Sequence, residues 1–139
     1  MRTFVLDTGA LIALQRDRGR LRTLLELVRE YGYELRTFAP VLTEFLGGSP
    51  PSLRRAGDYV CARVRIGDVD ETIARHAATL RQGAMKASPG TAPSAIDALV
   101  STEAERHGGV LIIDGDRADH EALAGVARAY VLKDLAEIV

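Results

Sequence analysis

The sequence predicts an α/β fold built on a mainly parallel sheet. Two observations carry this reading. Short apolar runs alternate with longer amphipathic stretches along the whole chain. The runs Thr3-Phe4-Val5-Leu6 and Val110-Leu111-Ile112-Ile113 are apolar with almost no polar alternation, the pattern of strands covered on both faces.

Residues 3–7 read as the first buried strand, after which Asp7 or Thr8 caps a helix through Ala10 to Leu14. Gln15 to Arg20 is polar, with Gly19 as a break. A second helix carries Leu21, Leu24, Leu25 and Val28 at the spacing of one buried face and ends at Gly32. A second strand follows over 34–39. Pro40 fits the first turn of a helix over 40–46, stopped by Gly47-Gly48. The turn Ser49-Pro50-Pro51-Ser52 opens a helix over 52–61, and Val64-Arg65-Ile66 is a short strand. Asp68 or Asp70 caps a long helix to about residue 85. After the loop 88–93, Ser94 starts a helix that runs to about 107 and stops at Gly108-Gly109. Residues 110–113 form a buried strand, 119–124 a short helix, and a last strand lies near 127–132. No internal repeat, low-complexity tract or linker interrupts the chain, so 1–139 reads as one domain.

Composition limits the function classes. The 139 residues are 47% hydrophobic, which excludes global disorder. Lys and Arg total 18 against 19 Asp and Glu, a net charge of -1. That balance does not favour a nucleic-acid binder, although acids gathered on a cation would leave the total. Trp is absent and aromatics are 5%, which argues against a base-stacking platform. The single Cys61 forms no internal disulfide, and a reducing, cytoplasmic setting fits it. No stretch reaches the ~20 apolar residues of a membrane span.

Acidic residues fall where this architecture gathers a site. Asp7 ends the first strand, and Asp114 and Asp116 follow the strand at 110–113. Glu44 and Asp97 lie just after prolines that begin helical patterns. Open α/β sheets bind ligands outside the carboxyl ends of strands, at a topological switch point. Carboxylates gathered there repel one another, and a hard divalent cation with oxygen ligands is the simplest counter-charge. Taken singly, each acid has an ordinary alternative. Asp7 is a good N-cap, Glu44 a solvated helix residue, Asp97 a favourable charge at a helix N-terminus, and Asp114-Gly115-Asp116 a polar turn. One cation explains them together.

These residues resemble the PIN domain, most closely the VapC-type ribonuclease toxins of bacterial toxin–antitoxin pairs. Val5-Leu6-Asp7-Thr8-Gly9-Ala10-Leu11-Ile12-Ala13 is similar to that family's first motif, Thr43-Glu44 to its second and Ile96-Asp97-Ala98-Leu99-Val100 to its third. The segment from Ile112 to Asp119 is similar to its fourth. The resemblance covers nearly the whole chain. It departs at Gly9, where Ser or Asn is common, and at Asp114, where Thr is usual. It implies a three-layer α/β/α sandwich with about five strands. It also implies a Mg²⁺- or Mn²⁺-dependent endoribonuclease with Asp7, Glu44, Asp97 and Asp116 as its catalytic acids. Asp7 and Asp97 would be the main metal ligands, Asp116 direct or through water, and Asp114 an additional ligand. Glu44 would orient the nucleophilic water or hold a second cation, and Asp119 would trail the fourth motif. A cognate antitoxin and a homodimer are implied as partners, with their surfaces on the first helices and a C-terminal antitoxin segment lying across the acid cleft, and RNA is implied as substrate.

Arg16, Arg18, Arg20 and Arg22 form a basic run suited either to RNA phosphates or to a solvated helix face. Arg81 and Lys86 stand before the third motif and are candidates for the same contact. His76, His107 and His120 lack metal-ligand spacing with a cysteine or one another, and His107 suits a helix C-terminus. Two other classes compete with the nuclease. One is a PIN-fold module that binds nucleic acid or protein without cleaving. The other is a receiver-like phosphoacceptor domain, which Thr8-Gly9 and Gly67-Asp68 fit poorly.

Overall fold

The computed structural model describes residues 2–139. Its five strands are β1 (Thr3–Leu6), β2 (Glu34–Phe38), β3 (Arg65–Gly67), β4 (Val110–Ile113) and β5 (Val131–Asp134). All pair in parallel, in the order β3-β2-β1-β4-β5. Its helices are α1 (Thr8–Arg16), α2 (Arg18–Tyr31), α3 (Ala39–Gly47), α4 (Arg54–Cys61), α5 (Glu71–Ala87), α6 (Ala95–His107) and α7 (Arg117–Val126). The chain winds outward from β1 through β2 to β3, then returns across the sheet to β4 and β5. Right-handed crossovers place α1–α4 on one face and α5–α7 on the other, giving an α/β/α sandwich. The strand order reverses beside β1, so the switch point lies between β1 and β4.

Capping chemistry sets most helix ends. Asp17 accepts from the Arg20 amide and starts α2 directly after α1, so the polar 15–20 stretch contains a one-residue break. Gln15 belongs to α1 and is buried, donating from Nε2 to Ser49 Oγ and the Leu53 carbonyl, both at 3.0 Å. Asp70 caps α5, and Gly32 and Gly108 end α2 and α6 in the left-handed region. The expected helix over 52–61 divides into a 3₁₀ turn at Pro51–Leu53 and α4.

The last strand differs from expectation. Instead of 127–132, β5 is Val131–Asp134, because α7 runs from Arg117 to Val126 and carries Val126 and Ala127 into the cluster beneath α5. The apolar residues after 124 thus serve helix packing.

The main core joins Phe4, Val5 and Leu6 of β1 to Leu111, Ile112 and Ile113 of β4, with Phe38 and Phe45 beside them. One buried ionic group crosses it. Glu103 of α6 is fully buried and accepts from Arg36 Nε on β2 at 2.8 Å, with His107 Nε2 at 2.7 Å. Arg36 also donates from Nη1 to Glu34 Oε1 at 2.8 Å. Breaking such a pair strands a charge, whereas replacing both members with apolar residues does not. Arg36→Met should therefore lower stability by roughly 1.5–3 kcal/mol in denaturant unfolding, with His107 remaining beside Glu103. The Arg36→Met/Glu103→Leu double variant should lie much nearer the wild type.

Candidate active site

Three of the acids stand at helix N-termini that meet at the switch point. Asp7 leaves β1 as the N-cap of α1, and its Oδ1 accepts the Ala10 amide at 2.8 Å. Its own amide donates to the Ile112 carbonyl, which fastens the end of β1 to β4. Asp97 occupies the third position of α6 in a capping box, with its Oδ2 accepting from the Ser94 amide at 3.3 Å. Asp116 immediately precedes α7 in the left-handed region, at φ 50° and ψ 35°, and its side chain makes no capping bond. Aspartate tolerates that conformation better than most residues. The helix-cap reading thus holds for Asp7 and Asp97, whereas Asp116 starts its helix without a capping bond.

His120 lies among these acids. It sits one turn into α7, fully buried, with Nε2 3.0 Å from Asp7 Oδ2 and 3.6 Å from Asp97 Oδ1. Burial by itself disfavours its charged form. The hydrogen bond and charge of Asp7, then the charges of Asp97 and Asp116, outweigh that and raise its pKa above the ordinary histidine value. Burial raises the pKa of Asp97, with Asp116 acting in the same direction and His120 and Ser94 opposing. Spacing to other histidines and to cysteine gave no hint of His120. A better signal was its place in the fourth motif, four residues after Asp116, where one helical turn returns a side chain to the helix start.

The other expected residues divide. Glu44 is exposed on α3 but joins the site through Thr8, whose hydroxyl donates to Glu44 Oε1. Asp114 is exposed, and its carboxylate makes no hydrogen bond or ion pair among the described residues; it is the Asp114 carbonyl that faces α1. Asp119, in the first turn of α7, is half-buried. Arg117 is held by Glu121 at 2.9 Å and by Asp134 at the end of β5. Arg16 and Lys86 are exposed at the ends of α1 and α5, and Arg18 sits 4.7 Å over the Tyr59 ring. Arg81 donates from Nε to the Pro93 carbonyl at 2.6 Å, which ties down the loop before α6.

The donor set is carboxylate oxygen, which suits a hard cation. Among the described residues no group of three or more His, Cys, Asp and Glu side chains forms a ready metal cage. Mg²⁺ does not require one, because it keeps several waters and takes one or two carboxylates. Asp7 and Asp97, flanking a common point beside His120, fit that requirement.

Gly9 explains one departure from the family pattern. A Cβ at this position would meet the Asp114 carbonyl oxygen at 2.2 Å and its carbon at 3.0 Å. A serine or asparagine is excluded unless the backbone moves. The first turn of α1 thereby packs directly on the chain leaving β4.

Comparison with known proteins agrees with this architecture. The class that fold and site define is a PIN-like α/β/α sandwich with an all-parallel five-stranded sheet. No protein-family model matches the chain, and no curated protein matches it. Solved structures do. A chain of DNA-bound VapBC from Salmonella typhimurium aligns with TM-score 0.71 and 18% identity, over 97% of this chain and 99% of that one. A chain of VapBC-1 from nontypeable Haemophilus influenzae gives 0.70 and 19%, over 96% and 98%. A chain of VapBC2 from Rickettsia felis, bound to a DNA fragment from their promoter, gives 0.73 and 16%, over 95% and 98%. At these identities the likeness is one of fold. Among the described residues no helix is long and apolar enough to cross a membrane.

Two outcomes follow from this geometry. Gly9→Ala should lower stability by roughly 1–3 kcal/mol in denaturant unfolding, because the obstructing atoms are backbone. Asp97→Asn should leave the metal-free protein as stable as the wild type or more so at neutral pH. A folded-state pKa above the unfolded one makes ionised Asp97 unfavourable to folding. That penalty is absent below the ordinary carboxylate range and sets in as pH rises through the folded pKa. Thermal melts of both proteins in chelator across pH check the sign.

Proposed function

We propose that this chain is a Mg²⁺- or Mn²⁺-dependent endoribonuclease acting as the toxin of a VapBC-type toxin–antitoxin pair. The observation that carries the reading is the meeting of Asp7, Asp97 and Asp116 at the switch point of a fold shared with VapBC chains. A scaffold that only binds has no need of such an arrangement.

In this reading Asp7 and Asp97 hold the cation and Asp116 holds it directly or through water. A bound divalent cation supplies a water of lowered pKa and neutralises charge developing on the phosphate. Glu44, fixed by Thr8, orients the attacking water and accepts its proton. The water oxygen bonds to phosphorus as the bond to the 3′ oxygen breaks, and that oxygen takes up a proton. The products are a 5′-phosphate and a 3′-hydroxyl. In this reading Arg16, Arg18 and Lys86, exposed on their helices, contact the RNA backbone. Single-stranded loops are the substrate class, because their phosphates and splayed bases are open to a shallow acidic cleft.

In this reading the antitoxin seats on the first helices. A groove of about 190 Å³ between α2 and α4 is lined by Leu21 and Leu25 together with Arg18, Arg22, Arg29 and a single acid, Glu26, so its charge is positive. That pattern suits an amphipathic segment with acidic residues. Ile12 and Leu46, both exposed, offer further apolar surface on the same layer for a homodimer.

The test is cleavage of single-stranded RNA by purified protein. Chelation should abolish activity and added Mg²⁺ or Mn²⁺ restore it; undiminished cutting without metal refutes the mechanism. Asp7→Asn and Asp97→Asn should each remove most activity. Within the fourth motif the loss should follow the order Asp116→Asn, Asp114→Asn, Asp119→Asn. One lost transition-state interaction of ~1.4–2.8 kcal/mol corresponds to roughly ten- to a hundred-fold in rate. If Asp114→Asn is the more damaging at both saturating and limiting Mg²⁺, Asp114 is the fourth acid.

A further inference from the structure

The environment of His120 is asymmetric in a way that assigns it a task. Nε2 points to Asp7 Oδ2 at 3.0 Å, while Nδ1 is buried and has no hydrogen-bond partner among the described residues. A neutral imidazole carries one proton, and whichever nitrogen bears it needs an acceptor. Here only Nε2 has one. If Nε2 instead ligated a cation, the proton would move to Nδ1 and be buried without a partner, an unfavourable outcome. Metal-bound histidines ordinarily donate their second N–H to a carboxylate or carbonyl, and among the described residues this ring has no such acceptor.

The two oxygens of Asp7 are therefore each engaged by one donor. Oδ1 accepts the Ala10 amide at 2.8 Å, and Oδ2 accepts His120 Nε2–H. Two donors on opposite oxygens fix the plane of the carboxylate. Each oxygen keeps a lone pair that the donor does not use.

We propose that His120 is a positioning residue for Asp7: its Nε2–H locks the carboxylate in the orientation that receives the divalent cation, and the imidazole itself does not ligate. This rests on the cation site proposed above.

The experiment is Mn²⁺ binding followed by the electron paramagnetic resonance of the free ion, on wild type, Asp7→Asn, His120→Leu and His120→Gln. Leucine fills the space without a donor, whereas a glutamine amide can set an N–H near the place of Nε2. His120→Leu should weaken Mn²⁺ binding about tenfold, and His120→Gln should recover most of that loss. Unchanged or tighter binding by His120→Leu overturns the proposal. Glutamine as poor as leucine also overturns it, by making the ring a ligand. Failure of the underlying reading looks different: wild type binds no Mn²⁺, or Asp7→Asn binds as well as wild type. If His120→Leu does not fold, nitrogen-15 NMR of the wild type loaded with diamagnetic Mg²⁺ decides the matter. The proposal requires the proton on Nε2, and a neutral ring protonated at Nδ1 overturns it.

Discussion

Negative charge collected at the carboxyl ends of the central strands has to be offset, and much of this structure follows from how that is done. Two carboxylates 4 Å apart repel by about 4 kcal/mol at an effective dielectric constant of about 20. The chain places Asp7, Asp97 and Asp116 at the N-termini of α1, α6 and α7, where unpaired amides present partial positive charge. Each such placement contributes about 0.3–1 kcal/mol at an exposed site, which is less than the repulsion. A genuine positive group is still required. His120 lies where one is needed, against Asp7 and within 3.6 Å of Asp97. The acids raise the pKa of His120 against the effect of burial, whereas that of Asp97 is raised chiefly by burial, with the charge of Asp116 adding to it. A divalent cation would relieve it more completely than one imidazole.

The parts of the molecule legible in the sequence are those governed by local rules. β1 and β4 follow from apolar runs, α2 from its leucine spacing, and the ends of α2, α3 and α6 from glycine. Asp7 and Asp97 were readable because each also obeys a capping rule, so motif and helix start coincide. What escaped was decided across the fold. Gln15 reads as a polar loop residue, yet it is buried because Ser49 and the Leu53 carbonyl, distant in sequence, satisfy its amide. Glu103 looks like a surface position on an amphipathic helix, yet Arg36, 67 residues away, draws it into the core. β5 was displaced because Val126 and Ala127 found partners on α5, which no local pattern states. His120 was missed for the same reason: its partner Asp7 is 113 residues away.

The two departures from the family pattern, Gly9 and Asp114, meet in space. The Asp114 carbonyl occupies the volume a side chain at position 9 would need. The chain then turns sharply, with Gly115 at φ 108° and Asp116 at φ 50°, before entering α7. This turn separates the two acids by role. Both residues are exposed, and at Asp114 it is the backbone that approaches α1. Asp116 carries a side chain with no capping duty, and its charge is felt by both Asp97 and His120. Of the two, Asp116 is therefore electrostatically coupled to the other acids, while Asp114 shapes the path that brings it there. Asparagine accepts the left-handed conformation as aspartate does, so replacing Asp116 by Asn removes the charge without straining the turn. A change in function at that position would then report on the carboxylate itself rather than on the fold that presents it.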